Sequence, residues 1–153
     1  MKLTGRALRG AVGGAVGTLA LTGLRKVMDR VGLVETTAPE QVVKRAEEVG
    51  LIGDIGPFTR RLLILAAHFA YGVSAGAAFG ALRRECAGRD AEAAVGAALG
   101  ILSWGAGWSG WLWILGVHGA PWQQRTPRVL LPVLDHAFFG AVWGLVYRVL
   151  RRP

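Results

Sequence analysis

Apolar residues along this chain gather into four long blocks, at residues 7–24, 62–82, 93–117 and 129–147, with charged residues at their edges. At a rise of about 1.5 Å per residue, a helix of each length crosses a hydrocarbon core of about 30 Å. The first block does so with help from Arg9, whose long side chain can snorkel to the interface. Strands fit poorly, because the blocks lack the alternation of a lipid-facing barrel and four strands cannot close one. The pattern therefore predicts an all-α fold: a four-transmembrane-helix bundle forming a single integral membrane domain over residues 1–153.

The polar loop, residues 25–61, predicts two further pieces of helix. Val27, Met28 and Val31 recur at helical spacing, so the first helix should run on past its apolar block. Thr36-Thr37-Ala38-Pro39-Glu40 then reads as a new start, with a threonine cap, an early proline and an acid in the first turn. Val42, Val43, Ala46 and Val49 make one apolar face opposite Lys44, Arg45, Glu47 and Glu48, and Gly50 is a stop signal. This short amphipathic helix is expected on the membrane surface or over the mouth of the bundle. At the N-terminus, Lys2, Arg6 and Arg9 precede an apolar run as in a signal peptide. No small-x-small cleavage site follows, however, and the run passes directly into Arg25, Lys26, Asp29 and Arg30. An uncleaved signal-anchor helix is expected.

Glycine brings in the packing. The chain has 23 glycines, set among Ala, Leu, Val and Trp. Gly10 and Gly14, Gly13 and Gly17, Gly72, Gly76 and Gly80, Gly96 and Gly100, and Gly140 and Gly144 all stand four apart. Small residues at that interval clear a groove along a helix and admit another backbone, within one chain or between chains. Their presence in every block predicts close helix packing.

The formal charge of +8 would suggest nucleic acid in a soluble protein, but the basic residues border apolar blocks, where lipid headgroups lie. The bilayer is the expected partner, and nucleic acid is not. The single cysteine, Cys86, has neither a disulfide mate nor metal-ligand spacing, and no metal site is predicted.

Candidate chemistry lies in the polar residues inside the blocks, which lipid would exclude. His68 is near the start of the second block, Asp135 and His136 near the start of the fourth, and His118 follows the end of the third. With four crossings these residues converge on one half of the bundle. Asp135 would be neutralised by His68 or by a loop arginine such as Arg125 or Arg128. Such a cluster can fix helix register, handle protons or, through its histidines, hold haem. Trp104, Trp108 and Trp111 are spaced as one helix face, suited to packing at the interface or to an aromatic wall against a quinone, pigment or lipid tail. Ser74 and Ser103 have no base at fixed spacing, and no enzymatic activity is expected.

His68-Phe-Ala-Tyr-Gly-Val, Gly96-x3-Gly100, His118 before a proline-bearing loop, and Asp135-His136 leading to Trp143-Gly144 together resemble the YagU-like family of bacterial inner-membrane proteins, over residues 62–144. The resemblance implies an inner-membrane location and a link to acid tolerance, with no defined chemistry.

With the N-terminus inside, nine basic residues fall on each side, and the acids leave +6 inside against +3 outside. That favours both termini in the cytoplasm, by a narrow margin. The reading that follows is an accessory or structural membrane component, as a homo-oligomer or a subunit of a larger membrane complex. The alternatives are a small transporter or proton-handling protein using His68, Asp135 and His136, and a haem- or quinone-binding protein.

Overall fold

The computed structural model describes residues 2–30, 32, 37–83, 88–123 and 126–151, all in helices, turns and short connections, with no strand among them. Helix α1 spans Leu3–Arg30, α2 Ala38–Glu48, α3 Pro57–Leu82, α4 Arg89–Ala106, α5 Leu112–Ile114 and α6 Thr126–Arg151. A π-helical turn, Gly107–Trp111, joins α4 to α5. Three helices are long and apolar enough to cross a membrane: Leu3–Arg30, Pro57–Leu82 and Leu130–Arg151. At about 1.5 Å per residue, α3 and α6 are each about 39 Å long. The first turn of α4 carries Arg89, Asp90 and Glu92, which dilute its apolar character.

Helix α1 runs well beyond its apolar block because Arg25, Lys26 and Arg30 are good helix formers and continue the turn into polar surroundings. Helix α2 starts where the threonine and acid predicted it. The Thr37 N–H donates to the Glu40 carboxylate at 2.7 Å, satisfying one of the orphan donors of a helix start. It stops at Gly50, whose φ of +71° is costly for any residue with a side chain. Val43 on its apolar face is buried. The polar edge is tied down by Glu47, which accepts from Arg60 of α3 at 2.7 Å, and by Arg45, whose Nε donates to the Leu115 carbonyl at 3.2 Å. This helix therefore lies over the bundle end formed by the start of α3 and the end of α5.

The long helices pack in the order α3, α1, α6, α4, with α3 and α4 meeting only slightly. Glycine decides this arrangement. A methyl group added at Gly10 would run into the Gly76 carbonyl oxygen, and one at Gly14 into that of Gly72. On the other flank, a methyl at Gly96 would strike the Gly140 carbonyl, and one at Gly100 that of His136. Rising numbers on one helix meet falling numbers on the other, so both pairs are antiparallel. Gly80 lies against Arg6, and Gly144 against Glu92. Gly13 and Gly17 face a third neighbour, opposite Trp143 and Phe139 of α6. Every glycine pair singled out above is thus filled by another helix of the same chain.

Where backbones touch there is no room for side chains, and the apolar volume is supplied one face over. Leu21, Phe79, Phe139, Trp143 and Tyr147 form the buried core, flanked by Leu24, Tyr71, Ala75, Val95 and Leu99. Phe79 tilts against Trp143 at 5.4 Å between ring centroids and meets Tyr147 edge-on at 5.3 Å. These rings link α3 to α6 across the gap that α1 does not fill. Thr18, wholly buried in α1, returns its hydroxyl proton to the Gly14 carbonyl at 2.9 Å.

Candidate functional site

The polar residues sort into two clusters at opposite ends of the bundle. At the end covered by α2, Asp135 of α6 accepts from the Nε of Arg25 at 2.9 Å, with the side chains 5% and 15% exposed. The partner is therefore an arginine at the far end of α1, where His68, Arg125 or Arg128 was expected. Arg125 lies outside the described residues, as does the Arg128 side chain. The antiparallel seam between α1 and α6 explains the pairing. Gly13 and Gly17 face Trp143 and Phe139, so the next turns of α1 come level with Asp135. Gly14, Thr18, Leu21 and Arg25 lie at intervals of four, three and four, one stripe of the helix. The pair is single-stranded, for Asp135 Oδ1 is buried with no hydrogen-bond partner.

Four neighbours complete this end. His136, one position on, is turned away from Asp135 by about 100° of helix. Its Nδ1 donates back to the Pro132 carbonyl at 2.8 Å, and its ring meets Tyr71 of α3 edge-on at 6.0 Å. His68 lies one turn before Tyr71 and within electrostatic reach of both Arg25 and His136. The Tyr71 hydroxyl donates to Ser103 of α4 at 2.9 Å, and Ser103 donates to the Gly100 carbonyl at 2.8 Å. That chain of hydroxyls bridges α3 and α4, which otherwise meet only slightly. Of the predicted site, then, His68, Asp135 and His136 do come together, and Arg25, Tyr71 and Ser103 join them.

His118 is at the same end of the bundle, beside the tryptophans of the third block. It lies in the connection after α5, with its Nδ1 2.8 Å from the Gly119 carbonyl and its ring 5.6 Å from Trp108. Trp104 and Trp108 stack at 4.9 Å with an interplanar angle of 20°, as their spacing predicts. Trp111 leaves their face, because the π-helical turn adds a residue between turns and Gly110, at φ −104° and ψ −107°, kinks the chain. The ring is 45% exposed. The predicted wall of three tryptophans is therefore a stacked pair capped by His118. Trp113 packs instead on Trp122, at 5.4 Å.

The opposite end holds a cluster that the hydropathy pattern did not single out. Glu92 is wholly buried and binds Arg83 through two bonds, Nε–Oε1 at 3.1 Å and Nη2–Oε2 at 2.7 Å. The Tyr147 hydroxyl, also buried, reaches the carbonyls of Gly80 at 3.2 Å and Arg83 at 3.1 Å. Counting charge by loop assigns Arg83 and Glu92 to solvent. The signal that would have corrected this is spacing: Glu92 stands four residues before Gly96, on the face that packs against α6. Among the described residues, no three His, Cys, Asp or Glu side chains gather as a metal site.

Comparison of the chain with known protein families, with curated proteins and with solved structures finds no match.

Proposed function

We propose that this chain is a four-span integral membrane protein that serves as a non-catalytic accessory component of a membrane complex. The fourth crossing is α4 continued through the π-helical turn and α5, about 39 Å in all. The observation that carries the role is on the outer face of α3. Ala66, Ala70, Ser74 and Ala78 stand four apart and are all exposed, while every inward glycine pair is already occupied within the chain. A stripe of small residues facing outward is what allows a transmembrane helix of another protein to dock backbone to backbone. The absence of catalysis is supported by how the polar groups are spent. Arg25 is used on Asp135, His136 on Pro132, Tyr71 on Ser103, and Ser103 on Gly100.

Orientation and family belong to the same proposal. Lys2, Arg6, Arg9, Arg83, Arg89, Arg148 and Arg151 gather at the end where α1 begins and α6 finishes. Such a surplus favours the cytoplasmic side of a bacterial inner membrane. The motif resemblance to YagU-like proteins supports the same location.

Purification from native membranes in mild detergent tests the role. A stoichiometric membrane partner should copurify, and Ala70→Leu with Ser74→Leu should release it. Recovery of the chain alone, in both forms, would end the accessory reading; recovery as a dimer disrupted by the same changes would make the partner a second copy.

One observation favours proton handling as a second reading: the buried and unpartnered Oδ1 of Asp135, beside two histidines. Asp135→Asn should then abolish proton flux in proteoliposomes. Equal flux in both proteins would remove this carboxylate from any such mechanism.

A further inference from the structure

The end of the bundle opposite α2 is strongly cationic, and one of its arginines is incompletely satisfied. Glu92, wholly buried, is committed to Arg83 by two hydrogen bonds, and Asp90 is the only other acid among the described residues at this end. Arg6 sits where α1 crosses the last turn of α3, its carbonyl against Gly80. Its Nη1 donates to the Arg83 carbonyl at a long 3.5 Å, while its Nε is buried with no hydrogen-bond partner. The Arg83 carbonyl that Nη1 reaches is shared with the Tyr147 hydroxyl, which lies closer to it at 3.1 Å. Arg151 adds a further cation nearby, its guanidinium carbon 5.7 Å from the centre of the Tyr147 ring.

A buried guanidinium N–H without an acceptor is costly, and a planar fork of donors suits a phosphate group. We propose that Arg6, in the cationic field of this end, binds the phosphate of an anionic phospholipid headgroup at the rim formed by the start of α1 and the end of α3. Lipid is the fitting source because the helices that carry Arg6 and its Arg83 partner also present exposed apolar side chains at this end, Leu3 and Leu8 of α1 and Leu82 of α3. The phosphate meets Arg6 while the acyl chains lie along α1 and α3. This site is independent of the α3 stripe, which lies on the outer face of one helix, and of the Asp135 cluster at the other end.

The full chain is purified in mild detergent, offered phosphatidylglycerol or phosphatidylcholine, and read by native mass spectrometry for retained lipid. Phosphatidylglycerol should be retained in preference, and the preference should shrink as salt is raised. Arg6→Gln should weaken retention about fivefold, the loss of one cationic contact at a headgroup. Arg6→Lys should keep most of it, and Arg60→Gln, at the far end, should change nothing. Equal retention of the two lipids by the unaltered protein would overturn the proposal without any variant. So would undiminished retention in a folded Arg6→Gln protein, or an equal loss in Arg60→Gln. Displacement of the lipid by inorganic phosphate at matching concentration would overturn the lipid as source and leave a free-phosphate site.

Discussion

Gly14→Ala should be one of the most damaging single-methyl additions in this chain. The new carbon would overlap the Gly72 carbonyl oxygen, lie 2.8 Å from the Gly72 carbonyl carbon and 3.2 Å from Gly76 Cα. All three atoms are backbone, so no rotamer change relieves the clash, and α1 and α3 must part by about 1 Å. A gap of that size forfeits a quarter to a half of each pairwise dispersion contact across the seam. Overpacking of this kind costs about 1–3 kcal/mol, and the rigidity of the obstacle puts Gly14 at the upper end. Thermal unfolding in mild detergent should show a fall of roughly 6–12 °C, at about 2–4 °C per kcal/mol for a domain of this size. The control lies in the same helix. Gly23 has nothing within 4 Å of an added carbon, so Gly23→Ala should hold or gain about 0.5–1 kcal/mol from helix propensity alone. Combining Gly14→Ala with Gly72→Ala should cost less than the sum, since one parting of the helices accommodates both methyls. Gly14→Ala at unaltered stability, or Gly23→Ala falling equally far, would refute the idea that backbone contact holds α1 to α3.

The ion pairs and the kink yield three more expectations. Arg25→Met strands the Asp135 carboxylate and should cost about 3–5 kcal/mol, whereas Arg25→Met with Asp135→Leu should recover most of it, both read by unfolding in detergent. Failure of the double replacement to recover would mean that the pair does more than compensate charge. Glu92→Gln keeps the shape but gives up the charge facing Arg83, and should cost about 2–5 kcal/mol by the same assay, because Glu92 is wholly buried. Gly110→Ala meets no neighbour, and alanine favours regular helix over glycine. It should therefore hold stability or gain about 0.5–1 kcal/mol and straighten the helix, bringing Trp111 into line with Trp108, which tryptophan fluorescence would register.

The all-helical class and the rough position of the three long apolar helices were legible because apolar blocks and charged edges are strong signals. Their ends were less so. Hydropathy marks only what can enter lipid, and it was the helical recurrence of Val27 and Met28 that carried α1 past its block to Arg30. The π-helical turn was invisible to the pattern, since Gly107 to Trp111, with Ser109 its one polar side chain, continues the apolar block without a charged or proline break. His68 and His136 stand at similar depth because α3 and α6, each antiparallel to α1, run in the same direction. Arg25 escaped because its pairing depends on the register of two helices whose partners lie 110 residues apart. Glu92 escaped for a related reason: its carboxylate is at the edge of a block by sequence and in the interior by packing. Both lay on stripes already defined by small residues, and reading those stripes through to their charged ends recovers them.

The position of α1 between α3 and α6 has a consequence for how the molecule is assembled. The seam with α3 can close as soon as the first hairpin is made, and that of α4 with α6 as soon as the second is made. Gly13, Gly17 and Arg25, however, wait for Phe139, Trp143 and Asp135 from the last helix to emerge. Until then a charged arginine and an open groove remain on the surface of the earlier pair. Stalled or truncated chains would therefore carry a visible mark of incompleteness, accessible to a membrane protease or chaperone, which vanishes only when the first and last helices meet.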